Sequence, residues 1–259
     1  MAVIKNGVSI SKLRQQDVSE LFYASWAIAK KHYWKSLLFA LATTIVPLGI
    51  ATYSQLAQFS FYGLKPLSSV LVAVYGVAAT FGTVHVLKKW LAGQEAYLDT
   101  FLSFFSGTTP HGKYVGLIAV LTAHSLTTNI MINPMGGAAP PPLTITGGFA
   151  IVVAVLGLFS SLIVPLIAFK NLNLAQAFET ALAVIVENAF PLLLIYIGIF
   201  GIAVVSLALC GLPYLFFAIP LLYPVHYFFY CASCEGLVVD RYNYQPRPEK
   251  PSPQAPPQN

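Results

Sequence analysis

Charge is scarce in this chain. Only 9% of its 259 residues are Asp, Glu, Lys or Arg, against roughly 25% in ordinary soluble domains. Apolar residues make up 57%, and a water-soluble protein of this size could not hide so much apolar surface behind so few charges. In a bilayer the outer surface is apolar too, so the conflict disappears. The composition therefore excludes an ordinary soluble domain and indicates a membrane protein.

Cysteine and catalytic motifs are scarce as well. The three cysteines are too few for a disulfide framework, and Cys231 and Cys234 stand at the predicted cytoplasmic end of the last apolar run, where thiols stay reduced. Glycine-rich phosphate- and dinucleotide-binding patterns are absent. The apolar runs offer no Ser/His/Asp arrangement, paired acids or metal-binding carboxylates. We therefore expect neither enzymatic activity nor a cofactor.

Long uncharged runs are what the chain does contain. A helix needs about 20 such residues to cross a bilayer, and two of the runs are divided by Pro- and Gly-rich breaks at 133–142 and 210–213, which cannot stay helical. The sequence therefore predicts an all-α polytopic membrane protein with six transmembrane helices. They are drawn from the uncharged runs 36–64, 66–87, 114–169 and 188–234.

Basic residues divide unevenly between the predicted loops. Thirteen of the fourteen lie on one side of the membrane, together with all nine acidic residues, and Lys65 lies on the other. Because Lys and Arg are retained on the cytoplasmic side, both termini are predicted to be cytoplasmic. The first 35 residues are mixed and polar, so no cleaved signal peptide is expected. The thirteen are Lys5, Lys12, Arg14, Lys30, Lys31, Lys35, Lys88, Lys89, Lys113, Lys170, Arg241, Arg247 and Lys250.

Each cytoplasmic segment ahead of an odd-numbered span carries an amphipathic helical pattern. Asp17 with Glu20, and Asn173 with Gln176, are predicted N-caps with their capping-box partners. Thr180 is predicted to face away from the apolar side. We expect three interfacial helices. Their apolar faces comprise Val18, Leu21, Phe22, Ser25 and Ala29; Leu98, Phe101, Leu102 and Phe105; and Leu174, Ala177, Phe178, Ala181, Leu182 and Ile185.

These stretches recur at matching distances from the next span, which predicts three parallel repeats of an interfacial helix, a span out and a span back. The alternative is that unrelated amphipathic helices share the spacing by chance. We expect a cytoplasmic segment 1–16, a six-helix domain 17–240 and a disordered Pro-rich tail 241–259, with repeat units at about 17–90, 94–169 and 173–234. The separations are 13 residues from Leu21 to Trp34, 13 from Phe101 to Tyr114, and 12 from Phe178 to Phe190.

Residues 169–193, FKNLNLAQAFETALAVIVENAFPLL, resemble a recurring signature of bacterial six-span inner-membrane proteins. In that signature a Leu-x-x-x-x-Ala-Leu helix leads into an aromatic residue and a leucine-rich span. Residues 88–105 and 26–41 resemble the matching middle and first segments. The group includes families of unknown function and the membrane domain attached to some glycerophosphodiester phosphodiesterases. The resemblance implies a fold and a bacterial inner-membrane location, without a catalytic role.

Polar residues inside predicted spans are candidates for a functional site, because they are costly in a membrane. His124 lies near the middle of the third span, with Asn129 and several Ser and Thr residues around it. A proton or substrate ligand is one interpretation. A histidine that holds two helices together by a hydrogen bond is the other, and it is favoured because the predicted spans contain no acidic residue at that depth.

A second candidate site is a Cys-x-x-C motif. Cys231 and Cys234 are three residues apart, so both thiols fall on one face of a helix, and His226 and His85 are predicted at the same depth. Two thiolates and two imidazoles could complete a tetrahedral metal site. However, the sequence has no second Cys-x-x-Cys motif. The alternative is that the two cysteines are simply small side chains where two helices cross.

Three functions remain open from the sequence. We expect a non-enzymatic scaffold or accessory subunit that recruits membrane lipids, a partner protein or another copy of itself through the interfacial helices. The alternative is a small carrier or lipid-handling transporter with an intramembrane cavity near His124. A metal or haem protein built on the cysteine and histidine residues is the third. Nucleic-acid binding is not expected, because the basic residues form no continuous stripe.

Overall fold

The computed structural model describes residues 3–57, 64–106, 111–132, 158–208, 219–239 and 244–246. This part of the chain is mostly helical, which confirms the predicted class. The predicted breaks at 133–142 and 210–213 lie outside the described residues, as does most of the predicted disordered tail. Within that tail, residues 244–246 form a strand.

Nine helices are ordered along the described residues. Three tight turns join or extend them: two 3₁₀ turns at Leu102–Phe105 and His111–Tyr114, and a π turn at Cys231–Glu235. The helices are α1 Gln15–Lys31, α2 Tyr33–Ala57, α3 Leu64–Leu91, α4 Leu98–Phe101, α5 Val115–Ile132, α6 Leu158–Lys170, α7 Leu174–Glu187, α8 Ala189–Ala208 and α9 Ile219–Tyr230.

Helix α3 lies at the centre of the fold and packs against α2, α4, α5 and α9. Its segment Leu67–Leu91 is the one described helix that is long and apolar enough by itself to cross a membrane. The pair Leu174–Glu187 and Ala189–Ile202 meets the same criteria together, with a bend of 84° between the two helices. The described residues therefore contain one or two such spans by length and composition.

Two small antiparallel hairpins flank the helices. Strands β1 (Val3–Lys5) and β2 (Val8–Ile10) pair around Asn6 and Gly7, whose φ angles are 50° and 76°. Left-handed conformation at both positions is typical of the Asn-Gly turns that join short hairpins. Strands β3 (Leu237–Val239) and β4 (Tyr244–Pro246) form the second hairpin. The N-terminal segment, predicted only as a polar cytoplasmic stretch, is thus a folded part of the core, with Ile10 buried.

The three predicted interfacial stretches fold differently. The first and third form the long helices α1 and α7, with Val18, Leu21 and Ala29 buried in α1 as predicted. The second makes one α turn and then tightens into a 3₁₀ turn. Because side chains three apart share a face in a 3₁₀ helix, Phe101 and Phe104 turn inward and Phe105 is exposed. Of the predicted apolar face, Phe101 is therefore buried, whereas Leu98, Leu102 and Phe105 are exposed.

The N-cap predicted at Asp17 is also wrong. Helix α1 begins one residue after Arg14, whose backbone N–H donates to the Asp17 carboxylate at 2.7 Å. Asp17 thus takes the third helical position, which is the capping-box role of an acidic residue. At α7 the prediction is confirmed. The Gln176 N–H donates to the Asn173 side chain at 2.9 Å, and the Asn173 N–H donates to the Gln176 side chain at 3.2 Å.

Candidate functional site

Helix α7 presents three different sides. One side packs into the fold through Ala177, Ala181 and Val184, which are fully buried. A second side is apolar but open, and it carries Phe178, Leu182 and Val186, with Val186 66% exposed. The third side is polar and open, with Gln176 and Glu179. The predicted single apolar face is therefore divided between the protein interior and an exposed surface.

The chain turns sharply where α7 meets α8. Asn188 separates the two helices with φ −118° and ψ 27°. The axes of the two helices are bent by 84° relative to each other at this residue. His32 separates α1 from α2 with nearly the same angles, φ −115° and ψ 34°. At both breaks the N–H of the bend residue donates to the carbonyl four residues earlier, at 3.0 Å and 3.1 Å. The first and third stretches thus enter the next helix through the same local conformation.

Asn188 holds the bend in place by binding the N-terminal segment. Its side-chain oxygen accepts from Leu13 N–H at 2.7 Å, and its amide donates to Ser11 O at 3.2 Å and to Val184 O at 3.1 Å. The residue is completely buried. Ser11 N–H donates in turn to Ser233 O in the π turn at 2.8 Å. One side chain therefore joins the N-terminal segment to the bend between α7 and α8.

The β1–β2 hairpin sits on the polar side of α7. The Asn6 amide donates to Gln176 O and to the Thr180 hydroxyl, both at 3.1 Å. The Lys5 ammonium lies 3.2 Å from the Glu179 carboxylate. Thr180 is consequently buried beneath the hairpin. The hairpin thus covers the helix at Thr180, which lies opposite the predicted apolar face, and leaves Gln176 and Glu179 exposed.

An apolar groove of about 400 Å³ lies beside the first half of α7. We call it the α7 groove, and it is lined from α5 by Leu117, Val120 and Leu121, from α6 by Phe159, Ser160 and Ile163, and from α7 by Leu174, Ala175, Phe178 and Glu179. The ring of Phe159 stacks on that of Phe178 with centroids 5.1 Å apart. Its volume falls within the range of roughly 300–1,000 Å³ that is usual for small-molecule sites.

Leu174, which lines the α7 groove, also makes a tight contact between α7 and α5. A Cβ added to Gly116 would lie 2.4 Å from Leu174 Cδ2, so only glycine allows this approach without a shift of Leu174. The Lys113 ammonium donates to the side-chain oxygen of Asn171 beside this contact. Lys5, paired with Glu179, marks a second point on the rim. The groove is thus apolar inside and carries ammonium groups at its edge.

The His32 break is fixed by aromatic residues. The His32 ring stacks on Trp90 with centroids 4.4 Å apart and an interplanar angle of 5°. Burial lowers the pKa of His32, and the nearby Glu95 carboxylate only partly opposes this. Lys35 donates to Glu95, which lowers the pKa of that carboxyl, and lies over the Tyr97 ring at 4.7 Å. Each break is therefore held by a contact from elsewhere in the chain.

The predicted intramembrane site falls on α5. His124 and Asn129 lie within that helix, but their side chains are outside the part of the chain whose side chains the structure describes. They remain a prediction.

The proposed metal ligands are not brought together. The His226 ring donates from Nδ1 to Leu222 O at 2.8 Å, and its Nε2 faces the Tyr196 hydroxyl at 3.3 Å, so both ring nitrogens have protein partners. His85 has its Nδ1 3.0 Å from Phe81 O, and Cys231 and Cys234 are buried free thiols. Among the described residues no three His, Cys, Asp or Glu side chains form a group that could hold a metal ion. The fold offers no support for a metal site here.

Asn188 and the α7 groove were not predicted from the sequence. Asn188 carries no local signal, because its partners are 175 and 177 positions away. The hairpin that it anchors does carry one, since Asn6-Gly7 stands between two short β-branched runs. The groove arises where three helices meet, which periodicity along one helix does not reveal.

No protein-family model, no curated protein and no solved structure matches this chain.

Proposed function

We propose that this chain is a six-span protein of the bacterial inner membrane that recruits lipids or a partner protein at the cytoplasmic surface, without catalysis. The observation that carries the proposal is the three-sided surface of α7 followed by the 84° turn into α8. A helix with one side on protein, one apolar side open and one polar side open fits the boundary between lipid and water. Helix α8, which leaves that boundary at nearly a right angle, then runs along the membrane normal.

The surface of α8 supports the same orientation. Phe190, Leu193, Ile197, Phe200 and Val204 are all exposed and recur at helical spacing along one face. A stripe of this kind is unfavourable in water, where large exposed apolar patches mark interaction surfaces. Against hydrocarbon it needs no protein partner. We therefore assign this face to the lipid.

The charge distribution and the matching breaks support three units with cytoplasmic ends. His32 and Asn188 share one backbone conformation, and each follows a helix whose third residue accepts the N-cap N–H. Such matched geometry favours real repeats over chance spacing. The six-span arrangement places the thirteen basic residues on one side, as the positive-inside rule requires.

A small carrier or lipid-handling protein is the second candidate. The α7 groove favours it, because the groove is an apolar cavity of about 400 Å³ that opens beside a helix with an unpartnered apolar side. Its α5 lining precedes His124, so the cavity need not include that residue. Lipid recruitment and lipid handling differ in whether the bound lipid is moved to another site.

Photocrosslinking in native membranes tests the recruiting role. A photoreactive amino acid replaces Leu182 on the open apolar side of α7, and a matched control carries it at Gln176 on the open polar side. We expect irradiation to give a reproducible lipid or protein adduct at Leu182, with several-fold less lipid adduct at Gln176. Equal lipid labelling at both positions, or no adduct at Leu182, would contradict the proposal.

A further inference from the structure

The α7 groove has the features of a lipid site with a specific headgroup end. Its interior is lined by aliphatic and aromatic side chains, and Ser160 and Glu179 are the polar residues among its lining. Such a lining offers water few hydrogen-bond partners and favours an apolar ligand instead. In a protein that lies in a bilayer, the apolar ligand always at hand is an acyl chain. The groove is also lined by Phe178, which lies on the exposed apolar side of α7.

The acyl chain cannot supply the selectivity of such a site. Lipid tails are as apolar as leucine side chains, so a chain that moves from bilayer to groove gains little free energy. Selectivity must therefore come from polar groups at the rim. Lys113 and Lys5 provide ammonium groups there, and Asn171, which accepts from Lys113, keeps the first of them beside the α5–α7 contact.

The charge at the rim favours an anionic ligand. Lys5 is already paired with Glu179, whereas Lys113 donates a hydrogen bond to the neutral side chain of Asn171. The net charge of these three charged residues is +1, from two lysines and one glutamate. A basic residue near a membrane surface attracts anionic lipid with about 1 kcal/mol, or about fivefold in affinity. The rim therefore complements a negatively charged headgroup.

We propose that the α7 groove binds one acyl chain of an anionic phospholipid whose headgroup lies against Lys113. This inference rests on the proposed membrane function and names the lipid that the protein recruits. Ala175 and Phe178 contact the chain, and the Lys5–Glu179 pair borders the headgroup. Lys113 selects the headgroup by charge.

The test uses the full chain in mild detergent after exchange with phosphatidylglycerol or phosphatidylcholine, followed by native mass spectrometry. Wild-type protein is expected to retain one phosphatidylglycerol, about fivefold above phosphatidylcholine. Ala175→Trp fills the groove and should abolish this retention, whereas Val186→Trp, on the same helix but outside the groove lining, should not. Lys113→Gln should make retention of the two lipids equal, whereas Lys30→Gln on α1 should leave the preference intact.

Several outcomes would overturn the inference. They are equal retention of both lipids by the wild type, retention by Ala175→Trp at the wild-type level, or an unchanged preference in Lys113→Gln. Should Ala175→Trp fail to fold, spin-labelled phosphatidylglycerol bound to the wild-type protein provides the test. Its spectrum must contain a component from immobilised lipid, and that component must be smaller with Lys113→Gln. Normal crosslinking of Leu182 to lipid, combined with no retained lipid, would defeat the groove site and leave the recruiting role standing.

Discussion

Replacing Asn188 by alanine is expected to lower the free energy of unfolding by about 2–4 kcal/mol, because it leaves buried backbone groups without partners. Leu13 N–H would lose its acceptor, and Ser11 O and Val184 O would lose a donor. All of these bonds lie in a fully buried position. The stretch from Ser11 to Arg14 should also open more often, since Asn188 is the side chain that joins it to the α7–α8 bend.

Thermal unfolding in detergent measures the first effect, and the rate of tryptic cleavage after Lys12 and Arg14 measures the second. The control is Asn173→Ala, which removes an exposed N-cap of the same helix and should cost about 1 kcal/mol without faster cleavage. Asn188→Asp keeps an acceptor for Leu13 but loses the two donated bonds, and it should also be destabilised. Equal stability of the Asn188→Ala and Asn173→Ala variants would show that the bend does not depend on this side chain.

Replacing Gly82 by alanine is expected to destabilise the fold by about 1–3 kcal/mol or more through overpacking. A Cβ at this position would lie 2.0 Å from the carbonyl oxygen of Phe101. That oxygen belongs to the backbone and cannot move away as a flexible side chain can. Helix α3 would have to separate from α4, which would disturb the packing of Phe101 on Phe39, whose rings now lie 5.0 Å apart.

Gly76 provides a matched control in the same helix. An added Cβ there meets nothing within 4 Å, so Gly76→Ala should be neutral or stabilising by about 0.4–1 kcal/mol. Melting temperatures of the two variants in the same detergent give the comparison. If Gly82→Ala had the same melting temperature as Gly76→Ala, α3 and α4 would not be in close contact.

Local patterns predicted the helical parts of this fold well. The helical class, the two long amphipathic helices and the Asn173–Gln176 capping box follow from residues within one or two turns of each other. Burial by a segment distant in sequence could not be predicted in this way. Thr180 is buried because the N-terminal hairpin covers it.

The candidate site depended on such distant neighbours throughout. The α7 groove needs α5, α6 and α7 to meet, and the close contact at Gly116 is visible only once α5 and α7 are packed. In the sequence, nothing distinguishes Asn188 from an ordinary polar residue that precedes an apolar run. The hairpin at Asn6-Gly7 was the one long-range feature with a readable local signal.

Reporter fusions test the proposed orientation of the chain most directly. Alkaline phosphatase, which is active only outside the cytoplasm, and a fluorescent protein that matures in the cytoplasm are fused in parallel after Gly63, Gly93, Met135 and Asn259. We expect phosphatase activity at Gly63 and Met135, and fluorescence at Gly93 and Asn259. Fluorescence at Gly63 and Met135, or phosphatase activity at Asn259, would contradict a bundle of three helical hairpins whose basic ends face the cytoplasm.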